Sequence, residues 1–462
     1  MNVLPTEEAV VAEKLATRLE QLTLTTAEYR WAVCVIEKLI NKSASTANGW
    51  VALNGDYIYK AFGSTGQKIL TKLCKACIVD QTNSYSTGKN APPYPKSYRV
   101  AADLFNYNRD SLVKESTLRD KTQRSIPEVV HNLKQLELSY EDAVSEAHQI
   151  ISKISIDDYL VNDEIEDKAV ELYDITTNRT FYIKLDAAKA YAAKYGRHLI
   201  QKKPKGSKVS KVHVVDSPVE FVASKKANLK LIWTRALTRI EKRVFRARRN
   251  DTNNRLDTDL TNLPGQFMKY MTVDSEELVS IDLKNSQFSI LAGMLSKPEA
   301  FGDERALFFK QFTYDEHTLK AIEIMRQGLF YEHLCELLDM DVKTGRSIAK
   351  TAAFACIFSS HRAKTKDKAI LRRAFTQLVK MTDAFKKEYG DNQLAIMLQK
   401  IESEAFIDGI AQELYNKHIW HATKHDSVIC KKSDVALVEG IVKTTLEKYH
   451  IKGIIETELL NK

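Results

Sequence analysis

The segment LVSIDLKNSQFSILAGML, Leu278 to Leu295, constrains the chain more than any bulk property. Its apolar start, Leu278 to Leu283, reads as a buried strand that delivers Asp282 at its end, and the residues after it turn helical. A carboxylate closing an apolar strand is costly unless charged partners or a metal satisfy it. A second such carboxylate follows in HATKHDSVIC, where an apolar strand after His425-Asp426-Ser427 is entered from another short strand. That pattern predicts a hairpin with Asp426 at its tip, and a helix from Asp434 to Tyr449 after it. Two carboxylates on separate strands suit a pair of divalent cations.

Two further segments belong with these. In RSIAKTAAFACIFS, residues four apart drift slowly around a helix, so Arg346, Lys350, Phe354 and Phe358 fall on one stripe about 18 Å long. Two cations followed by two aromatic rings suit a nucleoside triphosphate, phosphates at one end and sugar and base at the other. In TNNRLDTDLTNLP, Arg255 stands among short polar side chains just ahead of the Asp282 strand, as a phosphate- or sugar-holding loop would. Between Phe358 and Asp426, LAIMLQKIESEAFIDGIAQEL is an amphipathic helix carrying Gln399.

In order and separation these segments resemble the motifs of family A DNA polymerases and of single-subunit phage-type RNA polymerases, over about Arg248 to Leu460. The resemblance implies an α+β fold, a polymerase palm with helical fingers. It implies that Asp282, Asp426 and the backbone carbonyl of Leu283 hold two Mg²⁺ ions, with Mn²⁺ as an alternative. Lys350 and Arg346 would then neutralise triphosphate, Phe354 and Phe358 would meet sugar and base, and Arg255, His425 and Gln399 would touch substrate or primer-template. The departures are specific. Asn254 stands where the family has Gly, and Phe358-Ser359 replaces Tyr-Gly. His425-Asp426-Ser427 is the RNA polymerase form of a motif that reads His-Asp-Glu in the DNA polymerases. Ser286-Gln287 lies two residues further from Asp282 than usual and no Glu follows, so the bulky position that would crowd a ribose falls on Gln287 or Ser289.

A chain of 462 residues exceeds one ordinary core. Residues 1–108 predict a small module: helices from about Glu7 to Leu22, Thr26 to Ile40 and Gly66 to Cys77, then two strands joined by a Gly-, Pro- and Lys-rich loop. The architecture resembles a winged helix-turn-helix, which would place Thr65 to Cys77 in a DNA major groove and Lys89, Lys96 and Arg99 near phosphates. Residues 109–220 read as a connecting region of undetermined fold, and 221–462 as palm and fingers. The net charge of +9 is concentrated: Lys202 to Arg249 carries +12, interleaved with Phe221, Trp233 and Phe245, an electrostatic footprint for nucleic acid. Six scattered cysteines suit a reducing compartment, and Cys74 and Cys77 lack the second ligand pair a zinc site needs. The N-terminus carries acids where a signal peptide carries positive charge, and no apolar run is long enough for a membrane span. The expectation is a soluble, cytoplasmic enzyme acting on DNA template, primer and nucleoside triphosphates.

The reading that follows is a DNA-directed DNA polymerase of a phage, plasmid or other mobile element, without a proofreading domain. A DNA-directed RNA polymerase or primase is the alternative. A third reading, a DNA-binding replication initiator or regulator with an inactive palm, sits poorly with intact Asp282, Lys350 and Asp426.

Overall fold

A computed structural model describes residues 15, 17–43, 50–53, 55–82, 96–101, 123–125, 127–166, 169–174, 179–203, 211–245 and 247–460. The chain divides into two compact units, one drawing on Met1–Gln123, Val144–Pro204 and Val209–Thr238, the other on Arg124–Ala143, Lys205–Lys208 and Arg239–Lys462. No helix among the described residues is long and apolar enough to cross a membrane.

In the first unit, α1 (Thr26–Ser43) opens on a capping box. The Glu28 carboxylate accepts from the Thr25 amide at 3.0 Å while the Thr25 hydroxyl accepts from the Glu28 amide at 3.3 Å. After β1 (Val51–Ala52) comes α2 (Gly55–Lys75), which breaks at Gly63, where φ is +67°. Only glycine adopts that conformation cheaply, so the break starts a second helical segment close to the helix expected from about Gly66. Strands β2 (Val79–Gln81) and β3 (Ser97–Val100) complete an antiparallel sheet of order β1-β3-β2. Ile36, Leu39, Ile69, Leu70 and Leu73 fill the core against Val79 and Val100. Lys89 lies outside the described residues. Arg99 pairs with Asp80 at 2.8 Å and lies over the Trp50 ring. Cys74 and Cys77 are free thiols, and burial pushes Cys74 up to about 11.

Next in the chain, α3 (Pro127–Leu133) and β4 (Glu137–Leu138) belong to the second unit, where they are taken up below. The first unit then resumes with a five-stranded sheet that the sequence did not reveal. It contains β5 (Tyr159–Val161), β6 (Ala169–Asp174), β7 (Arg179–Lys184), β8 (His198–Lys202) and β9 (Val212–Val215), in the order β5-β8-β9-β6-β7. The pair β6–β9 is parallel and the others antiparallel. Side chains alternate across it: Leu172, Leu199, Val212 and Val214 pack on α4 (Leu185–Lys194), while Tyr159, Ile200 and Val215 meet Phe221 and Val222 from α5 (Pro218–Glu241).

The second unit is built on β13 (Glu276–Leu283). Along one edge β13 pairs with β15 (Ser427–Lys431), itself paired with β14 (His421–Lys424). Along the other it pairs with β12 (Met271–Val273) at its start and β16 (Ile455–Leu459) at its end. The two-residue β12–β13 turn holds Asp274 and Ser275 at φ of 52° and 61°, the left-handed geometry that matches hairpin twist. β4 extends this sheet by pairing with β12, and the Trp420 indole donates to the Asn132 carbonyl at 2.9 Å. These contacts tie residues 124–143 to a unit whose main body begins about a hundred residues later, so the units cut across the sequence-based boundaries.

Before the sheet core, β10 (Ala247–Asn250) and β11 (Leu256–Thr258) form a hairpin. After β13 come α6 (Ser286–Ser296), α7 (Glu316–Arg326), α8 (Phe330–Leu337), α9 (Val342–Phe358), α10 (Lys366–Ala374) and α11 (Thr376–Tyr389). α12 (Gln393–Ser403) runs on through a π-helical stretch, Glu404–Ala411, into α13 (Gln412–Asn416), and α14 (Val435–Lys448) follows β15. One apolar core joins Ile281 and Leu283 to Phe288, Phe330, Leu334, Ala353 and Leu398.

Candidate active site

The β13–β15 register sets Asp282 directly opposite Ser427, next to the hairpin tip. The Leu283 amide donates to the Asp426 carbonyl at 3.1 Å, which closes the tip against the end of β13. His425 occupies the tip at φ 59° with its ring exposed. On the other side Asp282 faces Glu456 of β16. Burial, then the negative charges of Asp426, Glu456 and Glu402, push the Asp282 carboxyl up to about 7; only the Lys350 ammonium among the leading influences opposes this. Carboxylates in each other's field at one strand end are a hard oxygen donor set, and a divalent cation would relieve their repulsion, so Asp282 and Asp426 fit Mg²⁺ or Mn²⁺. Among the described residues no group of three or more His, Cys, Asp or Glu side chains is arranged to hold a metal. Any further ligands would come from backbone, solvent or substrate, as Mg²⁺ commonly arranges. The Leu283 amide is committed to Asp426 and its side chain is buried.

Sequence reasoning missed the network beneath these carboxylates. Ser286 Oγ lies 2.6 Å from Asp426 Oδ2 and 3.1 Å from Glu402 Oε2. Gln287 Nε2 donates to the same Glu402 oxygen. Arg255 donates from Nη2 at 2.6 Å and Nε at 3.1 Å to Glu402 Oε1. The Glu402 side chain is 1% exposed, and burial raises its pKa against the pull of Arg255. Alongside, Asn253 Nδ2 donates to Gln399 Oε1 at 2.8 Å. Asn254 adopts φ 57°, the left-handed region that asparagine enters more readily than most residues. In the sequence Glu402 is one charge on a helix; its only signal is a spacing of three from Gln399, which shares its face.

Of the two positions expected to crowd a ribose, Ser289 is fully buried with its hydroxyl 3.3 Å from the Lys284 carbonyl, so it faces the core. Gln287 is buried too, and its amide is committed to Glu402.

On α9, Asp341 caps the first turn through the Thr344 amide at 3.0 Å, and Gly345, Ala349, Ala352, Ala353, Cys356 and Ile357 face the core. The stripe Arg346, Lys350, Phe354 and Phe358 lies off that buried face. Lys350 is exposed, with its ammonium 5.9 Å from the Phe354 ring centre. Phe354 packs on Phe288 at 5.6 Å and on Phe358 at 5.4 Å, and Phe358 is 45% exposed. Arg346 pairs with Glu332 at 2.9 Å and lies over the ring of Tyr331, a second residue the sequence did not single out. Tyr331 is buried against Phe288, and burial raises its phenol well above the ordinary range.

No family model matches the chain, and no curated protein matches it. Among solved structures the chain is similar to the POL domain of Pol1 from M. smegmatis, in complex with DNA primer-template and dNTP, at 11% identity and a TM-score of 0.34. The alignment covers 72% of this chain and 66% of that one.

Proposed function

We propose that the second unit catalyses template-directed nucleotidyl transfer, extending a primer 3′-hydroxyl with a nucleoside triphosphate and releasing pyrophosphate. The observation that carries this reading is the closure of Asp426 onto the end of β13 beside Asp282, over the field of Lys350. Two divalent cations, held by Asp282, Asp426 and the Leu283 carbonyl, would supply activation of the hydroxyl and charge neutralisation at the leaving group. The chain's own part is positioning and electrostatics. Lys350 and Arg346 neutralise the triphosphate, and the exposed Phe358 with Phe354 offers an apolar surface to sugar and base. Arg255, Gln399 and His425 are the residues proposed to contact primer-template.

DNA is the proposed template and primer, and deoxynucleoside triphosphates the substrates. A ribonucleotide-using enzyme, an RNA polymerase or primase, is favoured by one observation: no bulky free side chain stands at the ribose-crowding position, since Gln287 is tied to Glu402 and Ser289 faces the core. In the first unit, the helix after Gly63 exposes Thr65, Gln67, Lys68, Thr71 and Lys75, a polar and basic face that supports a winged-helix role on duplex DNA.

Primer extension with labelled dNTPs and NTPs supplied separately tests the reading. Extension dependent on template sequence and on Mg²⁺ or Mn²⁺ is expected; a folded protein that incorporates neither class contradicts it.

A further inference from the structure

We infer that Ser286 is a positioning residue that fixes the Asp426 carboxylate through its hydroxyl proton, beside a buried Glu402 that holds the Arg255 guanidinium. The inference rests on the nucleotidyl-transfer reading for its consequence, and on geometry alone for its substance. A carboxylate that is 1% exposed is costly to keep unless it is well hydrogen-bonded. Glu402 meets that condition through Arg255 and Gln287, while Ser286, next to Gln287 at the start of α6, reaches the hairpin tip at Asp426.

The proton inventory gives the arrangement its direction. Ser286 owns one hydroxyl proton and lies between two carboxylates. Glu402 Oε1 already accepts twice from Arg255, and Oε2 accepts from Gln287. The shorter contact, 2.6 Å against 3.1 Å, directs the Ser286 proton to Asp426, where it fixes the Oδ2 atom, and Glu402 is held by Arg255 and Gln287 alone. Arg255 is fixed in turn: both contacts to Glu402 use Nε and Nη2, leaving Nη1 uncommitted among the described residues for a phosphate. Partners behind a metal-binding carboxylate commonly change metal affinity or activity by about 10- to 100-fold when removed.

Mn²⁺ binding followed by electron paramagnetic resonance in the full-length protein tests this without requiring turnover, with KM for primer-template measured in parallel. Ser286→Ala cuts only the Asp426 limb and leaves the Arg255–Glu402 pair. It is expected to weaken Mn²⁺ binding about tenfold with an unchanged primer-template KM. Glu402→Ala, which frees Arg255 but leaves the Ser286–Asp426 contact, is expected to raise that KM with a much smaller loss of Mn²⁺ binding than Ser286→Ala. Glu402→Gln keeps an acceptor for Arg255, and Gln287 can rotate its amide to meet the new one, so most of the KM loss should be recovered. Mn²⁺ affinity within twofold of wild type in folded Ser286→Ala overturns the inference, as does a wild type that binds no Mn²⁺. Should Glu402→Ala fail to fold, Ser286→Ala decides alone. A wild type that extends no primer, with Mn²⁺ affinity still lost in Ser286→Ala, supports the positioning role and sinks the nucleotidyl-transfer reading.

Discussion

The Leu283 amide and the Asp426 carbonyl, 3.1 Å apart, join the end of one strand to the tip of a hairpin that begins about 140 residues later. That single backbone bond brings the two carboxylates of the site under one electrostatic field. Burial of Asp282, and then that field, raise its pKa and make stability depend on pH.

Asp282 titrates at about 7 in the folded protein against 3.8 ordinarily. Between those values the folded chain holds a proton that the unfolded chain has released, so stability falls as pH rises through that window and levels off above it. In metal-free protein, Asp282→Asn should therefore raise the melting temperature by a few degrees at pH 8 and leave it unchanged near pH 4. Thermal unfolding with a chelator present checks this, and added Mg²⁺ should narrow the difference at pH 8. A shift of the same size at both pH values would contradict the shared field.

Lys350 is exposed on the stripe of α9 and opposes the rise of the Asp282 pKa, so its charge reaches the site, with no ion pair to it among the described residues. Lys350→Ala should lower kcat/KM for the incoming nucleotide by about 10²-fold or more, the range seen when a charge-stabilising group is removed. Its melting temperature should stay within a degree or two. Steady-state kinetics in nucleotide at saturating primer-template measures the effect.

The exposed face of the helix after Gly63 gives a prediction for the first unit. Lys68→Glu with Lys75→Glu should weaken binding to duplex DNA and reduce the salt dependence by about two phosphate contacts. Extension of a preformed primer-template should be unaffected. Fluorescence anisotropy over a salt series, alongside an extension assay, separates the two; unchanged duplex affinity would remove that face from the DNA contact.

Sugar choice follows from Phe358 and from the two residues expected to crowd a ribose. A phenylalanine offers no hydroxyl to a ribose, and Gln287 and Ser289 are committed elsewhere, so discrimination between dNTP and NTP should be modest. It should fall well short of the ~10⁴–10⁵ of a site built around one polar group. Phe358 is 45% exposed, which leaves room for Phe358→Tyr to shift preference towards NTPs. The ratio of kcat/KM for matched dNTP and NTP, in wild type and variant, measures both.

The parts of this fold that announce themselves in sequence are those whose periodicity and chemistry are local. The apolar run ending at Asp282 is β13, the residues after His425-Asp426 form β15, and the four-residue spacing of Arg346 to Phe358 lies on one helix. The helix expected from Thr26 is α1. The five-stranded sheet escaped because its strands are short and two of its pairings, β9 with β6 and β5 with β8, join segments distant in sequence. The incorporation of β4 into the β13 sheet escaped for the same reason, since two residues of strand carry no pattern. Glu402 was invisible because a buried carboxylate and a solvated one look alike on an amphipathic helix; only Arg255, 147 residues away, distinguishes them.

The central claim is that Asp282 and Asp426 together hold the metal ions of a nucleotidyl-transfer site. Template-directed primer extension by Asp282→Asn and by Asp426→Asn, each set beside duplex-DNA binding by the same preparation, tests it most directly. Incorporation should fall by at least about 10³-fold in each variant, the scale of a lost metal-centred charge stabilisation, with DNA affinity within twofold of wild type. Near-wild-type extension by either variant would contradict the account.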